Sequence, residues 1–204
     1  MSERQALEFG SAPYGIKWYV YQDEHVDLDN HKNFTIIATR GTGKYISPDV
    51  ICDNMDEFQA ELDSGKYAIS LPLFMLAHGS VHLSVREFHD QWDSGQCGFA
   101  ALTKEQAAST DPEDLNSQLR NAVEEYDNAA NGNVVGYVIE QTTPCECGQS
   151  SKTTYLDSCW GYVLSGWGGV DGFVRDEVMA QVNYFIDKFS QAENATVTEQ
   201  KSDD

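Results

Sequence analysis

His78, His82 and His89 precede the run Trp92-Asp93-Ser94-Gly95-Gln96-Cys97-Gly98-Phe99, a dense concentration of reactive side-chain types. Imidazole nitrogens with a carboxylate such as Asp93 form a common metal donor set, and the same residue types serve as bases and nucleophiles. On an extended strand, however, His78 and His82 share a face about 13 Å apart. One ion does not reach both unless the Gly79 turn folds them together. A solvent-facing strand and a structured turn are the simpler account. Cys97 with a nearby histidine would make a nucleophile–base pair, yet it flanks a predicted strand, where a small core thiol is commoner. Asp93-Ser94-Gly95 has the composition of a turn.

Cys145, Cys147 and Cys159 form a second set. They can supply three thiolates to zinc, with a fourth ligand from elsewhere, but their spacing is unlike the usual CxxC knuckle. A vicinal redox pair or plain exposed thiols are the alternatives. The expectation is therefore no cofactor, with zinc as the candidate should one exist. Arg40-Gly41-Thr42-Gly43-Lys44 lacks the glycine spacing of a phosphate loop and the hydroxyl residue after lysine, so nucleotide binding there is rejected. Residues 161–172 are glycine-rich beside Trp160, Tyr162 and Trp167. They suit a turn into the last helix, or an aromatic recognition surface.

The elements that must position these residues follow from hydrophobic period. Aromatic and β-branched runs predict strands at 16–21 and 33–39, and further strands at 67–76, 81–85, 98–103, 134–141 and 155–165. Pro72 implies an edge position or a bulge. Helical spacing predicts helices at 53–62, with Met55, Phe58 and Leu62 on its apolar face, at 111–130 and at 171–189. Residues 1–14 read as an irregular lead-in. Short connections favour antiparallel pairing, giving an α+β fold, a mainly antiparallel sheet with about three helices packed on it. The expected organisation is a single domain over 1–189 and an acidic, disordered tail over 190–204.

Charge bounds the partners. Thirty-three acidic against thirteen basic residues give a net −20. Direct nucleic-acid binding is disfavoured, because phosphates need Lys and Arg. No apolar run is long enough to span a bilayer and the N-terminus lacks a signal-peptide core, so a cytoplasmic location in a host cell is expected. Five cysteines, an odd number, suit a reducing compartment. The carboxylates are grouped. Asp23, Glu24, Asp27 and Asp29 form one cluster. Asp49, Asp53, Asp56, Glu57, Glu61 and Asp63 form another across the first helix. Asp111, Glu113, Asp114, Glu124, Glu125 and Asp127 load both ends of the second. A solvated face is the plain account; solubility, high-salt adaptation and imitation of a nucleic-acid backbone compete as the reason for the charge.

The WDSGQxGF motif at 92–99, preceded by Leu71-Pro72-Leu73 and His78, and Asp157-Ser158-Cys159-Trp160-Gly161 together resemble a family of bacteriophage and mobile-element proteins. Weaker likenesses are Tyr21-Gln22-Asp23-Glu24, Asp29-Asn30 and Gly136-Tyr137-Val138, so the resemblance spans about residues 18–165. The chain departs from that pattern at Cys97, in the loop holding Cys145 and Cys147, and after Asn30, where a basic segment is missing. The resemblance implies an accessory gene and brings no activity with it. A family-type site would comprise His78, Asp93, Ser94, Gln96, Asp157, Cys159 and Trp160. The plainer reading makes Trp92 and Trp160 core aromatics, with polar residues bracing turns.

Two functions compete. The first is protein–protein interaction that inhibits a host defence or nucleic-acid-processing factor, with Asp23, Glu24, Asp27, Asp53, Asp56, Glu57, Glu61, Glu124, Glu125 and Asp127 facing a basic partner. The second is a small hydrolase or ligand-binding protein with His78, Asp93, Ser94, Gln96 and Cys159 at its site. The residues favour interaction over catalysis.

Overall fold

Alternation decides the first strands. Ile16, Trp18 and Val20 are buried while Lys17, Tyr19 and Tyr21 point the other way, as a period of two requires. A computed structural model describes residues 5–41, 46–90, 92–146, 148–164 and 169–202, with 196–202 as backbone alone. The fold is α+β with mostly antiparallel strands. Where the sequence predicts one domain through 189, the chain groups into two compact units, Met1–His25 with Asn133–Asp204, and Val26–Gly132. Each unit has its own sheet and its own core, which is the physical reason for the division.

The first unit holds a four-stranded antiparallel sheet in the order β1 (Glu8–Ala12), β2 (Ile16–Gln22), β8 (Val134–Pro144), β9 (Ser151–Val163), numbered along the chain. β1 falls in the expected lead-in. Its Gly10 lets the Trp18 ring lie against the backbone, since a Cβ there would sit 2.4 Å from that ring. One face of this sheet packs on α3 (Gly169–Phe173), a π-helical turn (Val174–Val178) and α4 (Met179–Ser202). Val178 and Val182 are fully buried there, with Val174, Phe185, Ile186 and Phe189 partly so. These residues recur at helical spacing through the helix predicted at 171–189. The helix runs on across the segment expected to be disordered; no Gly or Pro follows Phe173 to stop it.

The second unit holds β3 (Thr35–Thr39), β4 (Val50–Cys52), α1 (Met55–Leu62), β5 (Tyr67–His78), β6 (Ser80–Ser84), β7 (Ser94–Thr103) and α2 (Leu115–Ala130). Its sheet runs β4-β3-β7-β5-β6, with β3 and β4 parallel and the other pairs antiparallel. Helices cover both faces. Leu73, Ala100 and Leu102 pack under Leu119, Val123 and Tyr126 of α2. Ile37, Cys52 and Ala101 cluster on the other side with Phe58 of α1. Burial from both sides explains the continuous apolar run Ile36-Ile37-Ala38, all three fully buried. Pro72 lies where β6 no longer flanks β5, one residue before a register shift at Leu73/Phe74. Both expectations for that proline are met.

A side-chain cap sets the start of α1. The Asn54 side chain accepts the Glu57 N–H at 2.9 Å, and the Glu57 carboxylate accepts the Asp53 N–H at 2.9 Å. Among the described residues no helix is long and apolar enough to cross a membrane.

Candidate functional site

The β5–β6 turn and the start of β7 bring His78 and Asp93 together. His78 Nδ1 lies 2.6 Å from Asp93 Oδ2, and the Ala77 N–H donates to the Asp93 carbonyl at 2.9 Å. Both side chains are open to solvent. The hydrogen bond that the ring N–H donates to the Asp93 carboxylate, together with that carboxylate's charge, raises the His78 pKa above the usual imidazole value. Asp90 organises the approach to this pair. Its carboxylate accepts the N–H of Asp93 at 3.0 Å and of Trp92 at 2.8 Å, which hold it below the ordinary aspartate range, Asp93 first. Ser94 Oγ donates to the Asp90 carbonyl, so its hydroxyl is turned to the loop and not to His78. Gln96 bonds along its own strand to the Gly98 carbonyl. The Asp–His pair is a potential proton acceptor, and Ser94 is not aligned to it as a nucleophile.

The metal readings separate by register. His82 turns to Ser80 and to Asp127 of α2, away from His78. Pro144 pairs with Ser151 while Tyr137 pairs with Cys159. Seven ladder steps at about 3.3 Å each put Cys145 about 23 Å or more from Cys159, too far to share one zinc. Cys147 lies outside the described residues, as do Thr42, Gly43, Lys44 and Trp167. Among the described residues no three His, Cys, Asp or Glu side chains form a group able to hold a metal ion. Cys159 is exposed on β9, in the first unit, whereas His78, Asp93, Ser94 and Gln96 belong to the second. Cys97 is a core thiol, as the simpler reading expects. Burial pushes its pKa up to about 11, and its Sγ–H points at the Leu73 carbonyl.

Structure gives the two sequence motifs mechanical roles. A Cβ on Gly98 would stand 2.2 Å from the Ile37 carbonyl oxygen, so this position requires glycine for β7 to approach β3. Phe99 packs against Phe58, ring centroids 5.4 Å apart. Asp157 accepts the Tyr137 hydroxyl at 2.9 Å, and Trp160 lies over Gly136 and stacks on Tyr21. Trp92, by contrast, is 93% exposed and is not a core aromatic. Trp160 is 38% exposed.

The carboxylates predicted to face a partner divide by what they bond. Asp23 accepts the His25 N–H and Asp27 caps the turn at Leu28–His31. Glu61 bonds Lys66 and the Tyr67 hydroxyl, and is held below the usual glutamate range first by Tyr67 and then by Lys66. Glu125 pairs with His31, and Asp127 turns inward to β6. Glu24 and Glu124 are exposed. Around β4 and α1, Lys32 pairs with Asp49 and Arg40 with Asp53. Asp56, Glu57 and Asp63 are exposed, with no cation among the described ion pairs. In the same stretch Ile51, on the edge strand β4, is 49% exposed, and Met55, at the start of α1, is 69% exposed. Helical spacing assigns Met55 to the buried face, but at the first helical position it projects beyond the sheet. β4, a strand too short to stand out in sequence, is what places Ile51 at a sheet edge, on the strand face opposite to Cys52 and α1.

Compared with family models, curated proteins and solved structures, the chain gives no match.

Proposed function

We propose that this chain acts by protein–protein contact, seating the β4–α1 surface on a basic partner. The observation carrying the reading is the run of exposed carboxylates Asp49, Asp53, Asp56 and Glu57 along β4 and α1, a stretch in which Ile51 and Met55 are exposed as well. Apolar anchors inside a charged rim are the usual anatomy of a specific interface. The rim selects a partner rich in Lys and Arg, and the net −20 steers its approach. A host nucleic-acid-processing factor, such as a defence nuclease, has that surface where it grips phosphates. Fixed carboxylates there would keep the polyanion out. The resemblance to phage and mobile-element proteins supports the same context.

The test is capture of a basic nucleic-acid-handling protein on the immobilised full chain from nuclease-treated lysate, repeated at high salt and in the presence of duplex DNA. Both salt and DNA should release the partner. Asp53→Lys with Asp56→Lys should weaken binding at least ten-fold, leaving the Glu57 cap and the Glu61–Tyr67 bond in place. A partner held equally by the double variant, or held together with DNA, refutes the reading.

A further inference from the structure

His82 stands between two oxygens on β6 and α2. Ser80 Oγ is 2.8 Å from its Nε2, and Asp127 Oδ2 is 3.3 Å from its Nδ1. The ionised carboxylate only accepts hydrogen bonds, so Nδ1 carries the proton. In the neutral ring Nε2 is then bare and accepts the Ser80 hydroxyl proton. Asp127 is itself fixed. Its Oδ1 accepts the Leu83 N–H at 2.7 Å and the Asn131 Nδ2–H at 3.2 Å, and its side chain is 20% exposed. A strand places Ser80 and His82 on one face, because residues i and i+2 point the same way. The result is a hydroxyl, a base and an orienting carboxylate in series, the arrangement that activates serine as a nucleophile.

A cavity of about 380 Å³ reaches Ser80 and Asp127, and His82 adjoins it through those two partners; its lining mixes Leu28, Ile46 and Tyr126 with the polar Ser47 and Asn131. Its size is within the range of small-molecule sites. The wall mixes apolar and polar groups, and Asp127 together with the chain's negative field disfavours an anionic ligand. We infer that Ser80, His82 and Asp127 form an acyl-transfer site for a small, uncharged carboxylic ester. Ser80 Oγ bonds to the ester carbonyl carbon as its proton passes to His82 Nε2. The carbon–alkoxide bond then breaks, and the alcohol leaves with that proton. Water attacks the acyl-serine, gives one proton to His82, and releases the acid as Ser80 Oγ recovers the proton. The sum is ester plus water to acid plus alcohol. Asp127 is the positioning residue, acting only through His82. This site is independent of the binding surface at β4 and α1.

The probes are p-nitrophenyl butyrate and an alkyl fluorophosphonate, applied to the full chain. Intact mass should show one fluorophosphonate adduct per chain, and peptide mapping should place it on Ser80. His82→Ala should slow p-nitrophenol release by about 100-fold, the scale of general-base catalysis. Ser80→Ala should abolish the adduct. Asp127→Asn should lower kcat with KM unchanged. An adduct mapped to another residue, no adduct on the parent chain, or labelling at undiminished rate in His82→Ala overturns the inference. Mapping on the parent chain decides the matter even where a variant fails to fold.

Discussion

Replacing Gly98 by alanine should be among the most damaging single-methyl changes in the molecule. The added Cβ would sit 2.2 Å from the Ile37 carbonyl oxygen and 3.2 Å from Ala38 Cα. Both neighbours are backbone, in the strand to which β7 is hydrogen-bonded, so no side-chain rotation relieves the overlap. The sheet must part locally or β3 must shift, and β3 is packed on both faces. Overpacking of this kind costs about 3 kcal/mol, the upper end of its usual range. For a unit of roughly a hundred residues, that corresponds to a fall of roughly 12–24 °C in Tm. Gly95, three residues earlier in the same strand, is the control: a Cβ there meets nothing within 4 Å. Gly95→Ala should leave Tm unchanged or raise it slightly, since alanine restricts the unfolded chain. Differential scanning calorimetry of both variants beside the parent chain makes the comparison. A Gly98→Ala variant melting within about 3 °C of the parent would show that β3 and β7 do not approach as closely as described.

The His78–Asp93 pair has a pH signature. NMR titration should place the His78 midpoint above 6.5, and Asp93→Asn should bring it back toward that value. Because the folded pKa is the raised one, the pair's stabilisation is complete below the ordinary imidazole value and fades as pH climbs through the raised value. Identical midpoints in the two chains would remove the contact. Thiol chemistry tests burial: brief iodoacetamide treatment of the native chain should modify Cys145 and Cys159 but spare Cys52 and Cys97, as peptide mass spectrometry can resolve. Modification of Cys97 at the rate of Cys159 would contradict its place in the core.

Periodicity located most of this fold. The helices at 55–62 and 115–130, and the alternation along 16–22, are local signals carried by residues that pack where the pattern points. β1 and β4 escaped because each is short, and each is defined by its neighbour: β1 pairs along β2, and β4 runs parallel to β3. The two-unit grouping was illegible for the same reason, since pairing between β2 and β8 is a long-range choice. At the sites, the sequence grouped His78 with Asp93, which do meet, and set His82 about 13 Å from His78 along the strand without naming its partners. Its real neighbours are Ser80, which only the tight turn fixes, and Asp127, which the docking of α2 supplies. Cys145 and Cys159 look close along a hairpin, yet a long antiparallel ladder drives them apart.

The insertion of residues 26–132 between β2 and β8 orders events during synthesis. Gln22 pairs with Val135, and the Asp23 N–H donates to the Val134 carbonyl at 2.8 Å. The first unit's sheet therefore waits for a strand that leaves the ribosome more than a hundred residues after its partner. The second unit is contiguous and has every strand it needs before β8 is translated. Vectorial folding thus runs from the inside of the chain outward, with β1 and β2 emerging first and left unpaired with β8 until late. During that interval the nascent chain carries Trp18, Tyr19 and Tyr21 on an open strand edge, a window in which chaperone capture or aggregation competes with sheet closure.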